Sequence, residues 1–255
     1  MPMEPRRVLI TGAAGGIGLE IGRTFLAAGD RVQVCDADPE AVAALALSDS
    51  GIGAAVVDIS DAAAAQDWVR RAEAALGGID VLVDCAGVGG PTKPIEELGL
   101  DEWQRVLDVN LTGTFAVTQA AVPALRRSSQ GRIIVLSSLA GRTGYPNRLS
   151  YAVTKWGLVG LVKTLSIELG GDGVTVNAIQ PGAVDGERVR SVVRGRAEAS
   201  GRSFDEEWAD AMANRSIRRP TPPQDIAALC LFLASPAAGT ISGQAIPIDG
   251  DSQHA

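Results

Sequence analysis

The stretch Arg7-Val8-Leu9-Ile10-Thr11-Gly12-Ala13-Ala14-Gly15-Gly16-Ile17-Gly18 decides the fold. An apolar run with no polar alternation reads as a strand covered on both faces, and the glycines that end it mark a tight turn into a helix. Working outward, the same alternation repeats. Strands are expected at Arg7–Thr11, Arg31–Asp36, Ala54–Asp58, Val81–Asp84, Arg132–Ser137, Thr175–Gln180 and Ala245–Ile248. Helices are expected near Gly16–Ala28, Pro39–Ala46, Ala62–Leu76, Asp101–Arg126, Ser150–Leu169 and Gln224–Ala234. Such a βαβ series implies an α/β fold: one doubly wound parallel sheet of about seven strands, with helices on both faces and right-handed crossovers. No repeat or low-complexity linker divides residues 1–255, which are read as one domain.

Composition narrows the chemistry. The chain has 255 residues, 46% of them hydrophobic, and 23 Lys+Arg against 30 Asp+Glu give a net charge of −7. That balance argues against nucleic acid, which needs a dense basic surface. The single histidine, His254, is next to last. A Ser-His-Asp triad, an HExxH zinc site or any multi-histidine metal site is therefore not expected. Cys35, Cys85 and Cys230 are widely spaced, which suits neither a disulfide framework nor a zinc site and points to a reducing compartment. No apolar run is long enough to span a bilayer. Arg6-Arg7 runs into a strand and a glycine turn rather than an export signal, so a cytoplasmic location is expected. Tyrosine occurs only as Tyr145 and Tyr151. Proton chemistry must come from Tyr, Lys, Ser or carboxylates.

The loop Thr11–Gly18 lies between the first strand and the first helix, where glycines let backbone N–H groups approach a pyrophosphate. Asp36, 18 residues after Gly18, ends the second strand, where a carboxylate can accept both adenosine ribose hydroxyls. Asp58 is expected to end the third strand near the adenine. The alternative reading of each Asp is a plain turn carboxylate. Asp36 would repel a 2′-phosphate, and Ala13, Ala14, Gly15 and Ala37 supply no compensating cation. NAD is therefore expected over NADP.

Tyr151 and Lys155 stand at i and i+4 on one helix face. An ammonium beside a phenol favours the phenolate, and a Tyr so tuned can exchange a proton with an alcohol or carbonyl oxygen during hydride transfer. As a bare pattern, YxxxK is equally read as two surface residues. Its position after a strand ending in Ser137-Ser138, at the sheet edge that carries the glycine loop, is what gives it weight.

Taken together these motifs resemble the short-chain dehydrogenase/reductase family, in its single-domain Rossmann-type branch of roughly 250 residues. The matching elements are Thr11–Gly18 as TGxxxGxG, Asn110 in Val109-Asn110-Leu111, Ser138 thirteen residues before Tyr151, the YxxxK, Pro181-Gly182, and Ile246–Gly250 as the last strand. The resemblance implies that Tyr151 is the general acid/base and that Lys155 stabilises its phenolate and holds the nicotinamide ribose. It implies that Ser138 orients the substrate oxygen, with Ser137 the other candidate. It further implies that Asn110 kinks its helix and supports a water relay from Lys155 to solvent. Cofactor contacts are expected from Gly12, Gly15, Gly16, Ile17, Gly18, Asp36, Asp58, Ile59, Ala86, Gly87, Tyr151, Lys155, Pro181, Gly182 and Val184. The resemblance also implies a homotetramer paired through the helices near 101–126 and 150–169.

Two departures stand out. The family's Asn-Asn-Ala-Gly appears as Asp84-Cys85-Ala86-Gly87, so amides that brace the sheet are missing, and Cys85 is read as packing rather than a nucleophile. Asp185-Gly186 follows Val184 where many members place a carboxamide-gripping Thr. Residues 187–219, with eight Arg and six Asp/Glu, are read either as an exposed helical pair or as a substrate-binding lid. Between Ser138 and Tyr151, an arginine at 142 or 148 could clamp a carboxylate; the alternative is solvent-facing Arg. Trp156 is expected to be buried.

The activity expected is NAD(H)-dependent interconversion of a secondary alcohol and a ketone, with no metal, membrane or nucleic-acid partner. One alternative is a 3-oxoacyl thioester reductase of lipid synthesis, whose acidic carrier protein Arg126-Arg127 would meet. The other is a non-catalytic NAD-binding sensor or scaffold, which predicts loss of Tyr151, Lys155 or Ser138.

Overall fold

The computed structural model describes residues 4–252, so His254 lies outside the described residues. Seven parallel strands form one sheet: β1 (Arg7–Thr11), β2 (Arg31–Asp36), β3 (Ile52–Val56), β4 (Val81–Asp84), β5 (Arg132–Leu136), β6 (Thr175–Pro181) and β7 (Ala245–Ile248), in the order 3-2-1-4-5-6-7. The chain winds outward from β1 to β3, then crosses back to pair β4 with β1. The crevice beyond the carboxyl ends of β1 and β4 is thus the topological switch point, where ligands of such sheets bind.

Successive strand residues feed opposite cores. On one face Leu9, Leu82 and Ile133 pack with Trp68, Val69, Leu125 and Leu158. These belong to α3 (Ala62–Leu76), α5 (Thr114–Arg127) and α6 (Leu149–Gly170). On the other face Ile10, Val83 and Ile134 pack with Phe25, Leu45, Ile226 and Leu233, from α1 (Gly16–Ala27), α2 (Pro39–Ser48) and α9 (Pro223–Leu233). Every one of these strand side chains is essentially inaccessible, as a parallel sheet with both faces covered requires.

Two elements depart from expectation. The third strand is Ile52–Val56 rather than Ala54–Asp58, because β3 keeps register with β2: Val32 faces Ile52 and Asp36 faces Val56, and both strands run out together. The long helix near 101–126 is divided into α4 (Leu100–Leu107), a widened π-helical turn over Asp108–Gly113 that contains Asn110, the site of the expected kink, and α5. Residues 187–219 form α7 (Glu187–Ser200) and α8 (Phe204–Ala213). The Arg190 guanidinium stacks on Trp208 at 5.4 Å, and Ser200 and Arg202 hold Glu207 at 2.8 and 3.2 Å.

Candidate active site

At the end of β1 the chain must turn before α1 begins. Gly12 adopts φ +62°, and a Cβ there would lie 2.5 Å from the Ala86 Cα. The ends of β1 and β4 approach this closely only because the residue is glycine. Gly15 is the N-cap of α1, with no side-chain cap and no acidic residue in the first turn. The first-turn N–H groups therefore lack an intrahelical or side-chain acceptor, and nothing stands within 4 Å of the positions a Cβ would take at Gly15 or Gly16. At the tip of β2, Asp36 accepts from the Ala14 N–H at 3.1 Å and the Asp38 N–H at 3.2 Å. An open, uncapped helix start beside a carboxylate fits the diphosphate and ribose of a dinucleotide.

Asp58 does not end a strand. It lies two residues beyond β3, where Ser60 donates to it through N–H at 3.0 Å and Oγ at 2.7 Å, and Arg105 pairs with it at 3.0 Å. Burial pushes its carboxyl up, but the Ser60 hydrogen bonds and the Arg105 guanidinium outweigh this and hold it below the usual range. Ile59 is buried against Gly113 in the π-helical turn.

Across the crevice, α6 presents Tyr151 and Lys155. The buried Lys155 Nζ donates to the Leu136 carbonyl at 2.8 Å and stands 5.6 Å from the Tyr151 ring centroid. Ser137 does not face a substrate: its Oγ donates to the Lys155 carbonyl at 2.8 Å, fastening α6 to the end of β5. Ser138, next along, accepts from the Ala140 N–H at 3.2 Å and so shapes the turn at 139–141. Asn110 clasps the loop after β4, accepting from the Val88 N–H at 2.8 Å and donating to its carbonyl at 3.0 Å. Its amide also donates to Thr154 Oγ1 at 3.0 Å, which in turn donates to the Tyr151 carbonyl at 2.8 Å. Gly87 sits between these groups; a Cβ there would lie 3.2 Å from Asn110 Oδ1 and 3.5 Å from Lys155 Nζ. A widened turn is what lets Asn110 reach Val88 while α4 and α5 continue.

The bracing at Asp84-Cys85 is rebuilt rather than lost. Asp84 accepts from Thr118 Oγ1 at 2.9 Å and, more weakly, from Thr11 Oγ1 at 3.5 Å. Thr11 Oγ1 itself accepts from the N–H groups of Cys85 and Ala86, both at 3.1 Å. Burial raises the Asp84 carboxyl to about 7 against the pull of the two threonines. Burial likewise pushes the Cys85 thiol up to about 12, despite the nearby Lys155 charge, so it is a packing group rather than a nucleophile. Thr11 belongs to the glycine-loop motif, but Thr118 and Thr154 carry no motif signal in sequence; only the fold brings them to this edge.

Beyond β6, Gly182 is pressed against Asp249, and Val184 bridges to Thr221. Asp185 pairs with Arg190 at 2.8 Å, and Gly186 begins α7. Neither cleft arginine is simply solvent-facing. Arg142 pairs with Asp249 at 2.5 Å and donates to the Ser252 carbonyl at 3.0 Å. Arg148 lies over two aromatic rings, its Cζ 5.7 Å from the Tyr145 centroid and 5.4 Å from that of Tyr151. Trp156 is 51% exposed rather than buried, on the outer face of α6 beside the 40% exposed Val153.

The family model described as enoyl-(acyl carrier protein) reductase matches residues 12–250. A 2-dehydro-3-deoxy-L-rhamnonate dehydrogenase (NAD(+)) of Sphingomonas sp. (strain SKA58) is 37% identical over 176 residues, 69% of this chain and 71% of that protein. A D-threitol dehydrogenase of Mycolicibacterium smegmatis is 34% identical over 253 residues, covering 97% and 93% of the two chains. Among solved structures, an NAD+-bound xylitol dehydrogenase matches with a TM-score of 0.89 and 26% identity, over 96% of this chain and 98% of that one.

Proposed function

The chain belongs to the short-chain dehydrogenase/reductase family and is an oxidoreductase acting on CH–OH groups; from that premise we propose that it interconverts a secondary alcohol and its ketone with NAD(H). The observation that carries this reading is Tyr151 on the helix face of Lys155, its ring centroid 5.6 Å from the ammonium, across one crevice from the uncapped start of α1. A bound nicotinamide would supply the two-electron acceptor or donor for the carbinol carbon. The chain's own residues do the rest. Ser138 donates a hydrogen bond to the substrate oxygen. Tyr151 Oη takes the hydroxyl proton as the carbinol C–H bond breaks, and returns it in the reverse direction. The Lys155 ammonium, held by the Leu136 carbonyl, stabilises the charge that develops on the phenol oxygen. Asn110 positions Gly87 and Tyr151 through its bonds to Val88 and Thr154.

For the cofactor, Gly12, Gly15, Gly16, Ile17 and Gly18 would line the diphosphate, and Asp36 the adenosine ribose. Asp58, Ile59, Ala86 and Gly87 would border the adenosine; Pro181, Gly182 and Val184 would border the nicotinamide. Preference for NAD rests on Asp36, on the absence of any cation at 13–15 and 37, and on NAD being the cofactor of two of the similar proteins. Residues 187–219 would close over the substrate as a lid. A groove of about 520 Å³ between α5 and α6, lined by Phe115, Val122, Leu161 and Leu165, supports pairing of subunits into a homotetramer; a monomer by light scattering would end that part. A cytoplasmic location rests on the free thiols of Cys35, Cys85 and Cys230. Among the described residues no helix is long and apolar enough to cross a membrane.

The carrier-protein reading is the weaker one, because Arg126 is paired with Asp172 at 2.8 Å and Arg127 with Glu73 at 2.5 Å. A sensor reading predicts loss of Tyr151, Lys155 or Ser138, and all three are present. The deciding experiment incubates the protein with NAD and a panel of secondary alcohols, reading NADH absorbance. Turnover with NAD and little with NADP is the expected result. Silence across alcohols and their ketones with both cofactors would sink the reading.

A further inference from the structure

Cations around the mouth of the crevice mostly face carboxylates. Arg105 pairs with Asp58, Lys93 with Glu102, Arg142 with Asp249 and Arg190 with Asp185. Arg148 differs. Its hydrogen bonds go to neutral oxygens, from Nη2 to the Gly89 carbonyl at 2.9 Å and from Nη1 to Thr92 Oγ1 at 3.3 Å. Its buried Nε has no hydrogen-bond partner. The guanidinium also stands over two tyrosine rings, its Cζ 5.7 Å from the Tyr145 centroid and 5.4 Å from that of Tyr151, and these rings meet edge to face at 6.4 Å. In a chain of net charge −7, an arginine anchored without a carboxylate partner leaves its charge available to a ligand.

Its place in the fold narrows what that ligand is. Arg148 is the N-cap residue of α6, three positions before Tyr151, and it ties α6 to the glycine turn at 89–90 on the other wall. Tyr145 and Tyr151 shield one side of the guanidinium from water, which strengthens its attraction for an anion. The charge therefore sits beside the proposed reacting centre, not at the far end of a long pocket. A planar fork of donors matches a carboxylate.

We propose that Arg148 selects substrates bearing a carboxylate close to the carbinol carbon: the substrate class is a short hydroxy acid and its oxo acid. This rests on the dehydrogenase reading above for the carbinol, but the anion site itself does not depend on turnover. A neutral polyol of the same size fills the crevice without meeting the charge.

The test separates the two. Protein loaded with NAD is titrated by calorimetry with acetoacetate and with the neutral ketone 2-pentanone, neither of which can react because both partners are already oxidised. Expected is tighter binding of the acid by about tenfold or more, a preference lost in Arg148→Gln and partly kept in Arg148→Lys. With 3-hydroxybutanoate as substrate, Arg148→Gln should raise KM more than it lowers kcat. Equal binding of acid and neutral ketone by the parent protein, or an undiminished preference in Arg148→Gln, overturns the assignment. If binding discriminates as expected but no alcohol is oxidised, the carboxylate site stands and the dehydrogenase reading falls. If neutral alcohols are oxidised with no preference for the acid, the reverse holds.

Discussion

Thr118 Oγ1 donates to the carboxyl of Asp84 at 2.9 Å, in the interior of the sheet where neither side chain meets solvent. The bond joins α5 to β4 directly beneath the close approach of Gly12 and Ala86. Burial raises this carboxyl from its ordinary 3.8 to about 7, so the folded protein holds its proton more tightly than the unfolded chain. The resulting stabilisation is complete below about pH 4 and is lost as pH rises through 7. Above that, an ion must be kept in a dry interior. Asp84→Asn should therefore stabilise the protein chiefly on the alkaline side, raising Tm by about 5 °C more at pH 8 than at pH 5. Thermal melts at the two pH values decide this; an equal shift at both would mean that Asp84 is not protonated by the fold.

Tyr151→Phe keeps the ring, its edge contact with Tyr145 and its position over Lys155, and removes only the hydroxyl. If that hydroxyl carries the proton, kcat should fall by about 10²–10⁴-fold. Dinucleotide affinity by fluorescence titration should stay within about twofold. Comparable loss of both would reduce Tyr151 to a binding residue.

Much of this could be read along the chain because the signals are local. Ala62–Leu76 is helical from its own periodicity, with Asp61 capping its first turn, and Ala245–Ile248 is a strand. What escaped sequence reasoning depends on partners distant in the chain. The family resemblance already implies a kink at Asn110, but not its partner: Asn110 reaches back 22 residues to Val88, a contact that no hydrophobic period encodes. Val56 ends β3 because Asp36 ends β2 beside it. Trp156 reads as core by residue type, yet it lies on the outer face of α6. The Asp84–Thr11–Thr118 cluster joins three elements through a Thr118 that is unremarkable in sequence, and nothing in the spacing of Thr11 and Asp84 reveals that they share it.

Asp36 offers its two oxygens at the tip of β2, with no cation at 13–15 or 37 to neutralise a 2′-phosphate. Asp36→Ala removes the repulsion, and the ratio of kcat/KM for NAD over NADP should fall by about tenfold or more. Part of the fall should come from weaker NAD binding, since the ribose loses its acceptor. Steady-state kinetics with both cofactors provides the check; an unchanged ratio would move the discrimination away from β2.

Two glycines of the same loop separate folding from binding. Gly12 is at φ +62°, and a methyl group there would overlap the Ala86 backbone at 2.5 Å. Gly12→Ala must either pull β1 from β4 or strain the turn, lowering Tm by about 5–10 °C. Gly15 is extended at φ −159°, with nothing within 4 Å of its missing Cβ. Gly15→Ala should therefore melt within about 2 °C of the parent, yet weaken NAD binding about tenfold, because the methyl group would enter the space the pyrophosphate occupies. Melting curves and NAD titrations on the same two variants make the comparison. Should Gly15→Ala bind NAD as tightly as the parent, the open start of α1 does not cradle the diphosphate.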